Sequence, residues 1–283
     1  MTTAKKIKKE VIKKTAAKVT KPKAVKVVQP KITVLYEDDD ILAVDKPAGL
    51  LVHEDGKDKK GNLQQQSAIV RAKENTLSDW LVARYPQVKD VGDVTVAFDE
   101  ELNRSGIVHR LDKETSGVIL LAKTQKGFEC LKKQFQDHEI KKIYHTFVVG
   151  TPRQSRGIID QSIGKSGTDF RARSAARGAR GYTREAITQY MVKQSGKVGS
   201  QTVSFVQAMP KTGRTHQIRV HMKVIGHPIV GDSLYGHTQN TLGFRRTALH
   251  SVSIEFKNCA RKVVKVEAPY PEDFKLALTS LQK

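Results

Sequence analysis

The sequence has few cysteines and no long apolar run, and these two features exclude several classes of protein. Its 283 residues include two cysteines, Cys130 and Cys259, which form no CxxC pair, so neither a disulfide framework nor a zinc site is indicated. No apolar stretch approaches the roughly 18 residues that span a membrane. The lysine-rich N-terminus lacks the apolar segment of a secretory signal. We therefore expect a soluble, cytoplasmic protein that does not bind a membrane.

Several familiar catalytic motifs are also absent. The sequence contains no GxxxxGK[ST] loop for nucleoside triphosphates, no HExxH pair and no GxSxG turn. Four histidines stand near polar segments, but their spacing is not that of metal ligands: His109, His216, His221 and His227. We accordingly expect no metal.

Positive charge is present in excess. The net charge is +21, and residues 1–30 hold ten lysines and one glutamate, so the remaining residues carry +12. Such a balance favours a polyanionic partner, most simply nucleic acid. Residues 1–30 have no aromatics and low complexity, which predicts a disordered tail followed by one folded domain over 31–283.

The pattern of the folded part predicts an α+β fold with a mostly antiparallel sheet. Residues 32–36 and 41–45 read as a hairpin, residues 86–106 as an acidic loop and residues 153–184 as a mobile basic loop or hairpin. Helices are expected from a cap at Ser78 and over 127–139. Further strands are expected at 118–122, 141–150, 201–210, 251–256 and 263–269.

One segment, GIVHRLDKETSGVILLAKT (106–124), places three polar residues before a buried strand. Its apolar run 118–122 follows a Thr-Ser-Gly turn, so His109, Arg110 and Asp112 lie at the mouth of a core strand, where a rigid scaffold can aim them. A salt-bridged loop is the alternative interpretation. Asp112 and Glu114 are also a possible acid/base pair for glycoside cleavage.

A second polar segment is PKTGRTHQIRVHMKVIGHP. Thr215 can cap a helix from His216, with an apolar stripe through Ile218, Met222 and Ile225, and Gly226 fits the C′ position. Polar residues that crowd the first turn, where backbone N–H groups favour an anion, are Arg214, His216, Gln217 and Arg219. The residues alone thus indicate a nucleic-acid partner and name no reaction.

VHRLDKETSGVILLAK resembles the signature of the RluA family of RNA pseudouridine synthases. VLYEDDDILAVDKPAGLLVH, KKIYHTFVVG and TGRTHQIRVHM…IGHPIVGDSLYG resemble the other family segments in the family's order, over residues 32–274. Family members often carry an N-terminal S4 RNA-binding domain. We expect none here, because thirty lysine-rich residues are too few for one.

The resemblance implies isomerisation of uridine to pseudouridine in ribosomal or transfer RNA, without cofactor, by a protein expected to be a monomer. By the family pattern Asp112 is the catalytic carboxylate, Arg219 pairs with it, and Tyr144 stacks on the base and takes the C5 proton. Ile218 packs on the uracil, and Arg110 fills the gap left by the flipped nucleotide. Other residues expected to contact substrate or RNA are Lys46, His109, Arg214, His216 and Gln217.

Two other functions remain open at this point. One is a catalytically idle RNA-binding or ribosome-assembly factor on the same fold. The other is a hydrolase that releases free uracil, which needs an activated water and a second carboxylate.

The tail supplies a prediction of its own. Deleting residues 1–30 should weaken RNA binding and flatten its salt dependence, because each phosphate neutralised on single-stranded RNA adds roughly −0.7 to the slope of log K against log salt. The modified uridine and the single-turnover rate at saturating enzyme should not change. Titrations of both forms at several salt concentrations, with mapping of the product, check this. A truncated protein that modifies a different uridine would show that the tail selects the RNA.

Overall fold

The computed structural model describes residues 31–53, 76–97, 100–103, 105–175, 178–236 and 240–282. The predicted disordered tail, 1–30, lies outside the described residues. No helix in the described ranges has the length and apolar composition needed to cross a membrane. The helices are α1 (Leu77–Arg84), α2 (Gln125–Gln136), α3 (Gln217–Val224) and α4 (Glu272–Gln282). The strands are β1 (Thr33–Glu37), β2 (Ile41–Lys46), β3 (Val94–Ala97), β4 (Glu100–Asn103), β5 (Ser116–Ala122), β6 (Lys141–Val149), β7 (Arg156–Asp160), β8 (Ile163–Ser166), β9 (Arg173–Ala175), β10 (Ala179–Arg184), β11 (Ile187–Val198), β12 (Gln201–Pro210), β13 (Leu249–Lys257) and β14 (Val263–Glu267).

Within these ranges, a large sheet has the strand order β1-β2-β5-β13-β6-β12-β11-β7, and β14 pairs with residues of β13 that follow those paired with β5. The pair β5–β13 is parallel, and the other pairs of this sheet are antiparallel. Two smaller sheets consist of β3–β4 and β10–β8–β9. The predicted α+β class with a mostly antiparallel sheet is therefore confirmed.

Strands β2 and β5 each contain a continuous apolar run, 41–44 in β2 and 118–122 in β5, because both of their faces are covered there. All seven residues of β5 are buried. Ile119 and Leu121 point into one core cluster, with Leu77 and Phe147, whereas Val118 and Leu120 point into another, with Phe256. Alternate residues of a strand point to opposite faces, so a doubly covered strand reads as a continuous apolar run. Because β5 is buried on both faces, the position of its first residue is fixed, and the polar segment 109–115 leads directly into it.

Two helix starts differ from the sequence-based prediction. The side chain of Thr76, not of Ser78, caps α1, because it accepts from the N–H of Asp79 while the Asp79 carboxylate accepts from the N–H of Thr76. Helix α3 begins after His216, whose backbone is left-handed (φ 58°), and Thr215 does not cap it. The predicted C-terminal glycine of this helix is confirmed, since Gly226 follows the last residue with φ 82°.

The two segments predicted as loops are more regular than expected. Residues 86–106 contain a 3₁₀ turn, Pro86–Asp90, and the β3–β4 hairpin. Residues 153–184 contain β7 and the small sheet of β8, β9 and β10. Strand β11 and helix α4 were not predicted, and α2 covers 125–136 rather than 127–139.

Gly117 lies inside β5 rather than in a turn before it. Its φ of 107° favours glycine, and a Cβ there would lie 2.1 Å from the carbonyl oxygen of Ser251. The absence of a side chain thus lets β5 and β13 approach as parallel neighbours. Because β5 pairs with β13, and β13 with β6, the polar segment 109–115 is held close to both of these strands.

Candidate active site

Nine of the ten predicted site residues line one cavity of about 610 Å³. The polar segment that follows β4 forms one wall, β6 forms the floor, and the loop before α3 with the first turn of that helix forms the opposite wall. Its size is within the range of small-molecule sites. The nine residues are His109, Arg110, Asp112, Tyr144, Arg214, His216, Gln217, Ile218 and Arg219.

Arg219 joins two carboxylates. Its Nη1 donates to Oδ2 of Asp112 at 3.1 Å, and its Nε and Nη2 donate to the two oxygens of Asp232 at 2.7 and 2.9 Å. The Asp232 side chain is fully buried, whereas the Asp112 side chain is 21% exposed. The buried pair therefore fixes the guanidinium, and the guanidinium in turn fixes the carboxylate that faces the cavity.

The charges of this group stabilise one another. Burial by itself would lower the pKa of Arg219, but its hydrogen bonds and charge interactions with Asp232 and Asp112 raise that pKa above the usual range. Burial would raise the pKa of Asp232, yet the hydrogen bonds from Arg219 and from the N–H groups of Tyr235 and Leu234 lower it overall. Both groups are thus ionised at neutral pH, and Asp112 keeps a cationic neighbour.

Asp232 was not among the predicted site residues. Its segment GDSLYG belongs to the last RluA-like motif, but nothing in the local pattern distinguishes a buried partner of Arg219 from a turn aspartate. The structure shows both functions in one side chain, because Oδ1 also accepts from the N–H groups of Leu234 and Tyr235 at 3.0 Å.

Tyr144 lies on the central strand β6, between Ala208 of β12 and Ser251 of β13. Burial, opposed by hydrogen bonding with Ser251 and reinforced by the charge of Asp112, raises the pKa of the phenol to about 12. Tyr144 therefore presents a protonated hydroxyl at neutral pH. Ile218, in the first turn of α3, is also buried at the cavity wall and offers an apolar contact.

His216 and Tyr235 form a short hydrogen-bonded link beside Asp112. Nδ1 of His216 lies 2.9 Å from the hydroxyl of Tyr235, and its Nε2 lies 3.8 Å from Oδ1 of Asp112. Burial lowers the pKa of His216, which the charge of Asp112 opposes and the charges of Arg219 and Arg173 assist.

Three other predicted residues line the cavity but are bonded within the protein. Gln217 is buried, with its carbonyl accepting from Thr212 and from the N–H of Arg214 and its amide donating to Ile187 and Thr188. Nε of Arg214 donates to the Glu185 carbonyl.

The side chain of His109 is also bonded within the protein. Its Nε2 accepts from the N–H of Leu120 at 2.9 Å, and its ring packs against Phe135. Burial, with the positive charge of Lys142, lowers its pKa to about 3, so the ring is neutral. His109 and Gln217 thus hold the walls together.

Lys46 is the exception to the cavity. It is fully buried, and its Nζ donates to the carbonyls of Pro47, Leu50 and Lys113 at 2.9, 2.9 and 3.1 Å. The expected contact with RNA is therefore corrected: Lys46 reaches the backbone of the segment that carries Asp112 from inside. Arg246 does the same beside it, since its Nη1 donates to the Glu114 carbonyl while Asp273 binds the rest of the guanidinium.

Comparison with known proteins agrees with this geometry. A family model described as RNA pseudouridylate synthase matches residues 40–223. The ribosomal large subunit pseudouridine synthase D of Pseudomonas aeruginosa is 35% identical over 265 residues, covering 89% of this chain and 72% of that protein. The uncharacterized RNA pseudouridine synthase YlyB of Bacillus subtilis is 33% identical over 253 residues, covering 89% and 73%. The structure of human RNA pseudouridylate synthase domain containing 1 is 25% identical, with a TM-score of 0.64 over 85% of this chain and 84% of that one.

The fold and the sequence are therefore those of an enzyme that isomerises a nucleotide within RNA. The chain belongs to the RNA pseudouridylate synthase family, with an RluA-type sequence, and is an RNA pseudouridine synthase.

The lowered pKa of Lys46 predicts that the unfolding free energy of the protein depends on pH. Burial is the main cause that lowers its pKa to about 7, against partial compensation by Asp112 and Glu114. An unfolded lysine keeps its proton to about pH 10.4, so the folded state holds fewer protons between about pH 7 and 10, and its stability should rise with pH there. Relative to Lys46→Met, the wild type should gain about 2 kcal/mol of unfolding free energy between pH 7 and 9. Urea denaturation of both proteins measures this, and a pH-independent difference would contradict it.

Proposed function

We propose that this enzyme converts a uridine of large-subunit ribosomal RNA to pseudouridine, with Asp112 as the catalytic carboxylate. The observation that carries the proposal is the single cavity in which Asp112 is bound by Arg219 and faces Tyr144 and Ile218. The choice of ribosomal RNA is supported by relatives from four bacteria that are named ribosomal large subunit pseudouridine synthase D. We propose that it acts as a monomer in the cytoplasm.

The first chemical step breaks the bond between N1 of uracil and C1′ of the ribose. Asp112 either attacks C1′ or promotes a glycal, and both routes need an ionised carboxylate in a site that excludes water. One oxygen of Asp112 is engaged by Arg219, and the other, Oδ1, has His216 at 3.8 Å. Arg219 thus orients the carboxylate and leaves one oxygen for the sugar.

The second step turns the detached uracil and joins its C5 to C1′. Ile218 and the ring of Tyr144 give the base two apolar contacts while it turns. The C5 proton must then leave, and N1 takes up a proton, so the product is an isomer of the substrate and no cofactor is consumed. Because the phenol of Tyr144 is protonated, we propose that it accepts the C5 proton only as it passes its own proton on.

Entry of the base requires the nucleotide to leave its stack. Arg110 is exposed at the mouth of the cavity, two residues before Asp112, and we propose that its side chain occupies the space that the flipped nucleotide leaves. A hydrolytic alternative needs a second carboxylate beside Asp112. Glu114 does not line the cavity, and Asp93, which does, pairs with Lys132 at 2.7 Å.

Asp112→Asn should abolish pseudouridine formation and leave RNA affinity near that of the wild type, because one carboxylate performs the chemistry while many phosphate contacts supply affinity. Tritium release from RNA labelled at uridine C5 measures turnover. Glu114→Gln is the matched control and should remain active. An active Asp112→Asn enzyme would exclude Asp112 as the catalytic group, and an equally inactive Glu114→Gln would favour a two-carboxylate reaction.

Tyr144→Phe tests the hydroxyl separately from the ring. The variant should fold, bind RNA and hold the base, yet form little pseudouridine, because the ring remains and the proton acceptor is lost. Product yield after one turnover, with RNA affinity measured in parallel, checks this. A yield equal to that of the wild type would limit Tyr144 to stacking.

A further inference from the structure

The small sheet β10–β8–β9 is attached to the candidate active site. Ile163, Ala172 and Ala186 form a separate apolar cluster with Val220 of α3 and with Tyr235. The N–H of Arg173 on β9 donates to the Tyr235 hydroxyl at 2.7 Å, and the same hydroxyl bonds to His216. The sheet is thus held against the helix that carries Arg219, at the side of the cavity where His216 lies.

The register of this sheet places three cations side by side. Lys165 of β8 is paired with Arg173 of β9 on one side and with Arg180 of β10 on the other. Residues directly opposite in antiparallel strands project from the same face, so the three side chains form a row, named here the cation row.

Like charges directly opposite one another destabilise a sheet. Among the described residues, no carboxylate lies within ion-pair distance of any member of the cation row, and Lys165 and Arg180 are exposed. Arg171, in contrast, is neutralised by both oxygens of Asp169. The row therefore carries an electrostatic cost within the protein that a bound polyanion would remove.

The position and length of the row indicate which polyanion fits. Adjacent strands lie about 4.8 Å apart, so the row extends about 10 Å from Arg173, beside His216, outward to Arg180. That distance spans roughly three stacked nucleotides at about 3.4 Å each. Two very exposed aromatic side chains of the same sheet, Phe170 (89%) and Tyr182 (83%), add faces on which unpaired bases can stack.

We propose that the cation row binds the phosphates of the RNA strand that leads into the cavity, next to the target uridine. This proposal rests on the proposed function. It distinguishes Arg173, Lys165 and Arg180, as the residues that bind phosphate here, from the other basic residues of 153–184. RNA held there would enter past His216 toward Asp112.

The test compares two charge-matched double variants of the full chain. Lys165→Gln with Arg180→Gln removes two members of the row. Lys262→Gln with Lys275→Gln removes two exposed lysines from elsewhere on the surface. The probe is a fluorescent 20-nucleotide oligouridylate, titrated at several salt concentrations from 50 to 300 mM on each protein, together with a thermal unfolding curve.

The row variant should lose about 1.4 from the magnitude of the salt slope, which is roughly a 25-fold loss of affinity at 0.1 M salt if the electrostatic contribution vanishes near 1 M. Its Tm should equal or exceed that of the wild type, because repulsion has been removed. The control pair should change neither binding nor slope by a comparable amount. A row variant that binds like the control pair would overturn the proposal.

Pseudouridine formation by the wild-type chain on unmodified large-subunit ribosomal RNA is measured in parallel. Its absence would overturn the proposed substrate without bearing on the oligouridylate result. Its presence, with unchanged binding by the row variant, would overturn the cation row alone.

Discussion

The ion pairs of Arg219 are the interaction on which the candidate site depends. One guanidinium joins Asp112, on the segment before β5, to Asp232, on a turn after α3. Since Asp232 is fully buried, removing the arginine would leave an uncompensated charge inside the protein, at a cost of about 3–5 kcal/mol. The pairs therefore contribute at once to the fold and to the orientation of the Asp112 carboxylate.

Beneath the same segment lie two buried basic side chains that hydrogen-bond to its backbone and not to its carboxylates. Lys46 and Arg246 donate to the backbone carbonyls of Lys113 and Glu114 rather than to the side chain of Asp112. The backbone is thus held from the inside, and the carboxylate oxygen that Arg219 leaves is available on the cavity side. Rigid support that does not consume the functional group is what a preorganised site needs.

Much of this site was predictable because its residues lie in three short segments. Nine of the ten predicted residues line the cavity, and local motifs carried them there. The errors concern partners distant in sequence. Lys46 looked like a surface cation, and only the tertiary fold surrounds it with carbonyls.

The fold was predicted less evenly, for reasons visible in single residues. Buried strands such as β5 contain a continuous apolar run that predicts them strongly. Strand β11 was not predicted, because polar residues are interspersed among its apolar ones. At α1, Ser78 was predicted as the cap, whereas Thr76 caps the helix. The threonine has an aspartate three residues on, which is the reciprocal pattern of a capping box, so a signal was present in the sequence.

The place of Tyr144 in the sheet has a consequence for motion. Its strand is hydrogen-bonded on both sides, to β12 and to β13, so its backbone is held in place by two neighbours. A ring on such a strand cannot travel to meet a base that remains in its stack. If Tyr144 contacts uracil as proposed, the nucleotide must move out of its stack to reach the ring. The free energy of opening the RNA at the target site then contributes to the selection of one uridine over another.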